Sequence, residues 1–276
     1  MGAVSRLLAL RTNGRPTISR VDLLVASDPD YEDTDCGQTA ARLREVVAEE
    51  FPDRGVYVSE IKKGDIYCML LNYGLAMQIE DRIPYSIILS HRVSCYITQE
   101  NIDGLLTAMY EKARVAGIML PETKEFIRRG RVQDTFSIWH NKSLVTVGAF
   151  DLRAAKPGLV HAHLKEKVTG WSEERAKRHG DGAVEYNAAG CEEIIPQIRL
   201  VRFFGPCIRV VQPSETTADT CEIPLDVDPK GYHRHLAKLA TKEERQRRFA
   251  ATEGVDLEFI EKGLMQNPLD AEENVS

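Results

Sequence analysis

Two adjacent glutamates, Glu192 and Glu193, open an apolar stretch, Ile194 to Ile198, and Arg199 lies seven residues beyond the first of them. A carboxylate at a helix N-terminus is stabilised by the helix dipole, so plain capping accounts for the pair. If it faces a pocket, the same group can take a proton from an acceptor hydroxyl. Upstream, Asp151 closes the segment Gly148-Ala149-Phe150-Asp151, and Asp28 follows Ser27 at the tip of an apolar run. A carboxylate at such a tip either caps the next turn or accepts hydrogen bonds from a base or ribose. Arg92, in Ser90-His91-Arg92, is a solvated loop residue or a guanidinium fork for a diphosphate. Trp139 offers a ring that can stack on a sugar, although within an apolar run core packing is its commoner role.

Several other clusters carry less. Asp28, Asp30, Glu32, Asp33 and Asp35 miss the calcium-loop spacing, with no Gly at the sixth position and no Glu at the twelfth. His161 with His163 and His233 with His235 have no evident third metal ligand. Cys191 has no identifiable base beside it. No G-x-S-x-G, H-E-x-x-H or G-x-x-x-x-G-K-[ST] occurs, so α/β-hydrolase, zincin and P-loop signatures are absent.

The elements that must position these residues alternate. Val21 to Ala26 reads as a buried strand, Gln38 to Phe51 as a helix stopped by Pro52, and Gly55 to Ile61 as an alternating strand. Asp65 can cap a helix carrying Met69, Leu70 and Leu75; Tyr85 to Leu89 is the next strand. Thr98 caps a helix through Lys112, and Val115 to Leu120 returns as a strand. This order predicts an α/β domain with a mostly parallel sheet. Ligands then sit at strand C-termini, which selects Ser27 to Asp35, Ser90 to Arg92 and the loop around Asp134. Leu152 to Gly190 reads as a polar surface insertion. In the tail, Thr241 and Glu244 form a capping box and Gly254 a helix stop.

Composition narrows the classes. A 276-residue chain with 43% hydrophobic and 28% charged residues is an ordinary globular one. Its net charge of −6 argues against wrapping duplex nucleic acid. The tail from Thr241, with five basic and nine acidic residues, carries most of that charge. No apolar run approaches the roughly 20 residues of a transmembrane helix, and the N-terminus lacks a signal-peptide pattern. A cytoplasmic protein with six reduced cysteines is the expectation.

In order and spacing, four motifs resemble the family 2 glycosyltransferases, which have the nucleotide-diphospho-sugar transferase fold. They are Ala26-Ser27-Asp28 after a strand, Asn72-Tyr73-Gly74-Leu75 on a helix, Gly148-Ala149-Phe150-Asp151, and Glu192-Glu193 with Arg199. The match runs from about Val21 to Val211. The resemblance implies a three-layer α/β/α domain over residues 1–230, with 152–190 inserted and a short helical tail at 231–276. It implies inverting transfer of a sugar from a nucleotide-diphosphate donor to an acceptor hydroxyl, with Glu193 as base beside Glu192. Asp28 and Ser27 would contact the nucleoside, and Asp151 with Arg199 would organise the acceptor side; Asn72, Arg92 and Trp139 complete the binding set.

The chain departs from the family pattern at three places. The metal-binding Asp-x-Asp should follow the strand Tyr85 to Leu89, where Ser90-His91-Arg92 stands, so no metal ligand is assigned. Tyr67 replaces a basic residue, and the family's first strand has no counterpart. Arg92 is the candidate replacement for the metal on a departing diphosphate. A non-catalytic relative that keeps the fold to bind a nucleotide sugar or a protein partner is the second reading. A nucleotidyltransferase is a third, without the Gly-rich phosphate loop it needs.

Overall fold

The computed structural model describes residues 2–27, 37–62, 67–120, 124–133, 135–154, 191–214 and 242–265, apart from the side chains of Ser27, Lys62, His91, Arg92 and Arg153. Helix α1 (Gly2–Ala9) leads into a short hairpin of β1 (Arg11–Thr12) and β2 (Arg15–Pro16), then β3 (Val21–Ser27), α2 (Gln38–Glu50) and β4 (Val56–Lys62). Next come α3 (Tyr67–Glu80), β5 (Tyr85–Leu89), α4 (Gln99–Tyr110) and β6 (Val115–Ile118). The chain continues through α5 (Lys124–Ile127), β7 (Phe136–His140), α6 (Asn141–Thr146), α7 (Ile194–Phe204) and β8 (Ile208–Val211). Helix α8 spans 242–252, and a 3-10 segment, Leu257–Gly263, follows it.

The alternation of strands and helices is therefore present, but the sheet is not mostly parallel. The strands form a parallel pair, β3-β4, and a separate four-stranded sheet in the order β5-β7-β6-β8. Strand β7 runs antiparallel to both β5 and β6, while β6 and β8 are parallel. The reversed strand is the one the sequence pattern passed over. All of Phe136 to Trp139 is buried, so the run shows no in-out alternation. A strand covered on both faces carries no period-2 signal.

Helix limits follow local chemistry. Thr98, extended at φ −124 and ψ 160, accepts a hydrogen bond from the Asn101 amide through its side chain and starts α4. Phe51 leaves helical geometry before Pro52, which ends α2. Buried Ile102, Leu105, Ala108 and Met109 put one face of α4 on the sheet, in a cluster with Ala116, Ile118, Phe136 and Ile138. On the other face, α7 packs Ile194, Ile195 and Ile198 with Trp139, Phe150, Phe249 and Ile260.

The tail joins this second core. Cys207 donates its amide to Gly263 O (2.8 Å), and Met265 donates to Ile208 O (2.9 Å), so the chain after α8 extends the edge at β8. Cys68, Cys191 and Cys207 are free and buried. Cys95 is disulfide-bonded, which corrects the expectation of reduced cysteines throughout.

Gly117 in β6 is fixed by packing. A Cβ there would stand 2.6 Å from Cγ1 of Val132, far inside van der Waals contact. Gly117→Ala is expected to destabilise the fold by about 1–3 kcal/mol. Urea denaturation should show a lower midpoint with an unchanged slope; an unchanged midpoint would contradict this packing.

Candidate functional site

Helix α7 carries the candidate groups along its length. Its N-terminal turn holds Glu192 and Glu193, both 0% exposed. Their side chains do not face solvent. Lys242, at the start of α8, brings Nζ to 3.5 Å from Oε1 of Glu193 and donates to Oε1 of Gln133. The ammonium also lies 5.7 Å from the centre of the Phe126 ring. Glu193, the candidate base, is thus a buried carboxylate paired with a buried ammonium.

One turn further along, Gln197 holds the loop before β7. The Val132 amide donates to Gln197 Oε1 (2.9 Å), and Gln197 Nε2 donates to Val132 O (2.8 Å) and Glu193 O (2.9 Å). Both backbone groups of Val132 are satisfied by one buried amide side chain, as burial requires. Neighbouring Arg131 is equally buried, and its guanidinium reaches Glu243 and Glu261 only at 4.0 Å. Burial weakens its hold on its proton. Sequence reasoning missed Gln133, Gln197, Lys242 and Arg131, because none belongs to a spaced motif.

At the exposed end of the helix face, Arg199 Nη2 bonds Oδ2 of Asp151 (3.0 Å) and Oε1 of Glu253 (2.8 Å), and Nε bonds Oε2 of Glu253 (3.1 Å). Glu253 foremost, and Asp151 with it, strengthen the guanidinium's grip on its proton. Gly148, at φ +94, lets Arg199 approach: a Cβ there would stand 3.1 Å from Nη1. Ala149 follows at φ +56, a left-handed conformation that costs a non-glycine residue about 1–2 kcal/mol. The turn is fixed by Asn72 on α3, which donates from Nδ2 to Phe150 O (2.8 Å) and accepts the Phe150 amide on Oδ1 (3.0 Å).

The structure thus brings Asn72, Gly148 to Asp151 and Arg199 into contact, with Glu192 and Glu193 on the same helix as Arg199. Trp139 is placed in the core instead of on a sugar-binding surface: its ring is 0% exposed. The indole donates to Ser137 Oγ (2.9 Å) and meets Phe150 edge-on at 5.2 Å. Asn72 spends its amide on the backbone of Phe150, so it acts on the turn. The Cys191 thiol is pushed up to about 12 by burial, and such a group stays protonated and non-nucleophilic. Asp28, the Asp134 side of its loop, residues 155–190 with both His161 and His163, and the pair His233 and His235 lie outside the described residues; Ser27 and Arg92 are placed by backbone alone.

By residue type, the position after β5 lacks the carboxylates of a hard-metal site. Ser90, His91 and Arg92 supply one hydroxyl, one imidazole and a cation, whereas a hard divalent ion needs carboxylate or carbonyl oxygens. Among the described residues no group of three or more His, Cys, Asp or Glu could hold one.

Lys242→Met is expected to remove the ammonium beside the buried Glu193 carboxylate and to cost about 3–5 kcal/mol. Adding Glu193→Gln should recover most of that loss in urea denaturation. A single-variant cost below about 1 kcal/mol would place the pair in the class of exposed ion pairs. No family profile matches the chain, and neither a curated protein nor a solved structure is significantly similar to it.

Proposed function

We propose that this chain is a glycosyltransferase-like protein that moves a sugar from a nucleotide-diphosphate donor to an acceptor hydroxyl. One observation carries the reading: segments far apart in sequence, at Asn72, Gly148 to Asp151 and Arg199, meet through direct hydrogen bonds around the helix that begins at Glu193. In the reaction, Glu193 takes the acceptor proton as the acceptor oxygen bonds the anomeric carbon from the face opposite the leaving group. The bond from that carbon to the diphosphate breaks, and the electron pair leaves with the diphosphate. Arg92 stabilises the departing charge in place of a metal, and no step passes through a cation. Asp28 and Ser27 hold the nucleoside, and Asp151 is oriented by Arg199. For Glu193 to act as base, Lys242 must withdraw and the carboxylate must gain access to the acceptor.

The complete burial of Glu193 against Lys242 favours a second reading, a non-catalytic module that keeps the scaffold to bind a nucleotide sugar or a protein partner. No helix among the described residues is long and apolar enough to cross a membrane. A cytoplasmic location belongs to the same proposal, and the disulfide at Cys95 weighs against it.

The reading is tested by thermal shift with a panel of nucleoside diphosphate sugars, with and without manganese. At ligand about 100-fold above Kd, binding contributes about 2.7 kcal/mol, a shift of a few degrees. The expected result is a metal-independent shift that Arg92→Ala abolishes. A shift that requires manganese would overturn the role given to Arg92, and no shift with any donor would overturn nucleotide-sugar binding.

A further inference from the structure

Helix α6 is started by an imidazole. His140 leaves β7 at φ −80 and ψ 106, and its Nδ1 accepts the Ser143 amide at 3.2 Å. The Ser143 hydroxyl lies 2.7 Å from the same nitrogen. Because Nδ1 accepts an amide, the neutral ring carries its proton on Nε2, and the hydroxyl donates to Nδ1 as well. At most helix starts a side-chain oxygen of Ser, Thr, Asp or Asn accepts this amide. None of those oxygens titrates near neutral pH, whereas an imidazole does. A proton added to the ring goes to Nδ1, the nitrogen that holds the lone pair. The hydroxyl can then turn and accept from the new N–H, but the Ser143 amide has only a proton to offer and loses its partner.

The surroundings oppose the charged ring. His140 is half-buried, and Tyr85 of β5 lies against it with ring centres 5.6 Å apart. Burial foremost, then Arg114 ahead of β6 and Lys142 of α6, push the imidazole below its ordinary value. Among the described residues, no carboxylate acts on the ring to offset them. A cation at this end of α6 also meets the positive end of the helix dipole.

The helix has little else to hold it. Its six residues are too few to be helical alone, and Leu144 is its one aliphatic residue in the core. Its carbonyls in turn hold the chain that follows. Ser143 O accepts the Val147 amide (3.2 Å), Val145 O accepts Gly148 (3.0 Å) and Leu144 O accepts Ala149 (2.8 Å). Phe150 and Asp151 come next, bound to Asn72 and Arg199. Ser143 thus joins the cap to the turn: its amide and hydroxyl meet His140, and its carbonyl holds Val147.

We propose that His140 is a pH-sensitive helix cap: a proton gained at Nδ1 releases the Ser143 amide, loosens α6, and so loosens the Gly148 to Asp151 turn that presents Asp151 to Arg199. The sign follows from the direction of the shift. The cap contributes fully above the ordinary histidine value, and its contribution is lost as pH falls through that value toward the lower one of the folded chain. The turn is therefore held at neutral pH and released in mild acid. The device concerns only the support of Asp151, so it stands whether or not the chain transfers a sugar.

The test follows the full chain by NMR from about pH 7.5 to about pH 5, the range in which histidine changes charge. The His140 ring should titrate below the ordinary histidine value, with its neutral proton on Nε2. Over the same range, the amides of Ser143, Val147, Gly148 and Ala149 should lose exchange protection roughly fivefold relative to Val115 to Ile118, the size of one lost cap. His140→Asn supplies an acceptor that does not titrate. It should keep the protection found at neutral pH and abolish the decline in acid. Three results would overturn the proposal: His140 titrating at or above the ordinary value, protection that stays constant across the range, or a decline that persists in His140→Asn. If that variant fails to fold, the titration and the exchange of the unaltered chain decide alone.

Discussion

The guanidinium of Arg199 is the joint on which the candidate site depends. It binds Asp151 after α6 and Glu253 after α8, two segments that share no backbone pairing. The charge is fixed, the geometry is partly buried, and both partners are carboxylates, the combination in which arginine outperforms lysine. Because Asp151 belongs to the turn that Asn72 holds from α3, hydrogen bonds and ion pairs together link α3, α7 and the chain after α8. Arg202 also reaches Glu253, at 3.6 Å, so the carboxylate end of this network is held by two arginines.

Helix α7 therefore has three layers of duty. Its apolar face fills the core with Ile194, Ile195 and Ile198, Gln197 fixes the loop entering β7, and Glu193 meets Lys242. The start of the helix holds both core residues, Ile194 and Ile195, and the candidate base. Gly117 belongs to the same chain of contacts: its missing Cβ lets Val132 lie against β6, where Gln197 can reach it. The site is thus supported by the centre of the sheet and by residues of the tail at once. Lys242, at the start of α8, lies against Glu193 at 3.5 Å.

Much of the local structure was legible in the residues. Thr98 marked α4, Pro52 ended α2, and the alternating run Gly55 to Ile61 marked β4, because caps, breakers and period-2 patterns are local effects. Strand β7 was illegible since burial on both faces erases alternation, and its insertion between β5 and β6 is a long-range pairing. That reversed strand is why a mostly parallel sheet was the wrong expectation. The grouping of Asn72, Asp151 and Arg199 was visible only as motif order. Burial of Glu193 was not visible, because its partner Lys242 lies in a segment whose charge pattern reads as a solvated helix. Trp139 followed its ordinary role: an aromatic ring amid apolar neighbours fills the core.

Glu193 lies fully buried with Lys242 beside it. Whether the scaffold transfers a sugar is decided most directly by following the anomeric protons of a nucleotide-sugar panel by NMR, with the full chain and a pool of acceptor hydroxyls. Glycosyl transfer through Glu193 predicts a new anomeric signal of inverted configuration, with release of the nucleoside diphosphate, that Glu193→Gln removes. Donor signals that persist unchanged with every acceptor, or a product that Glu193→Gln still forms, would contradict it.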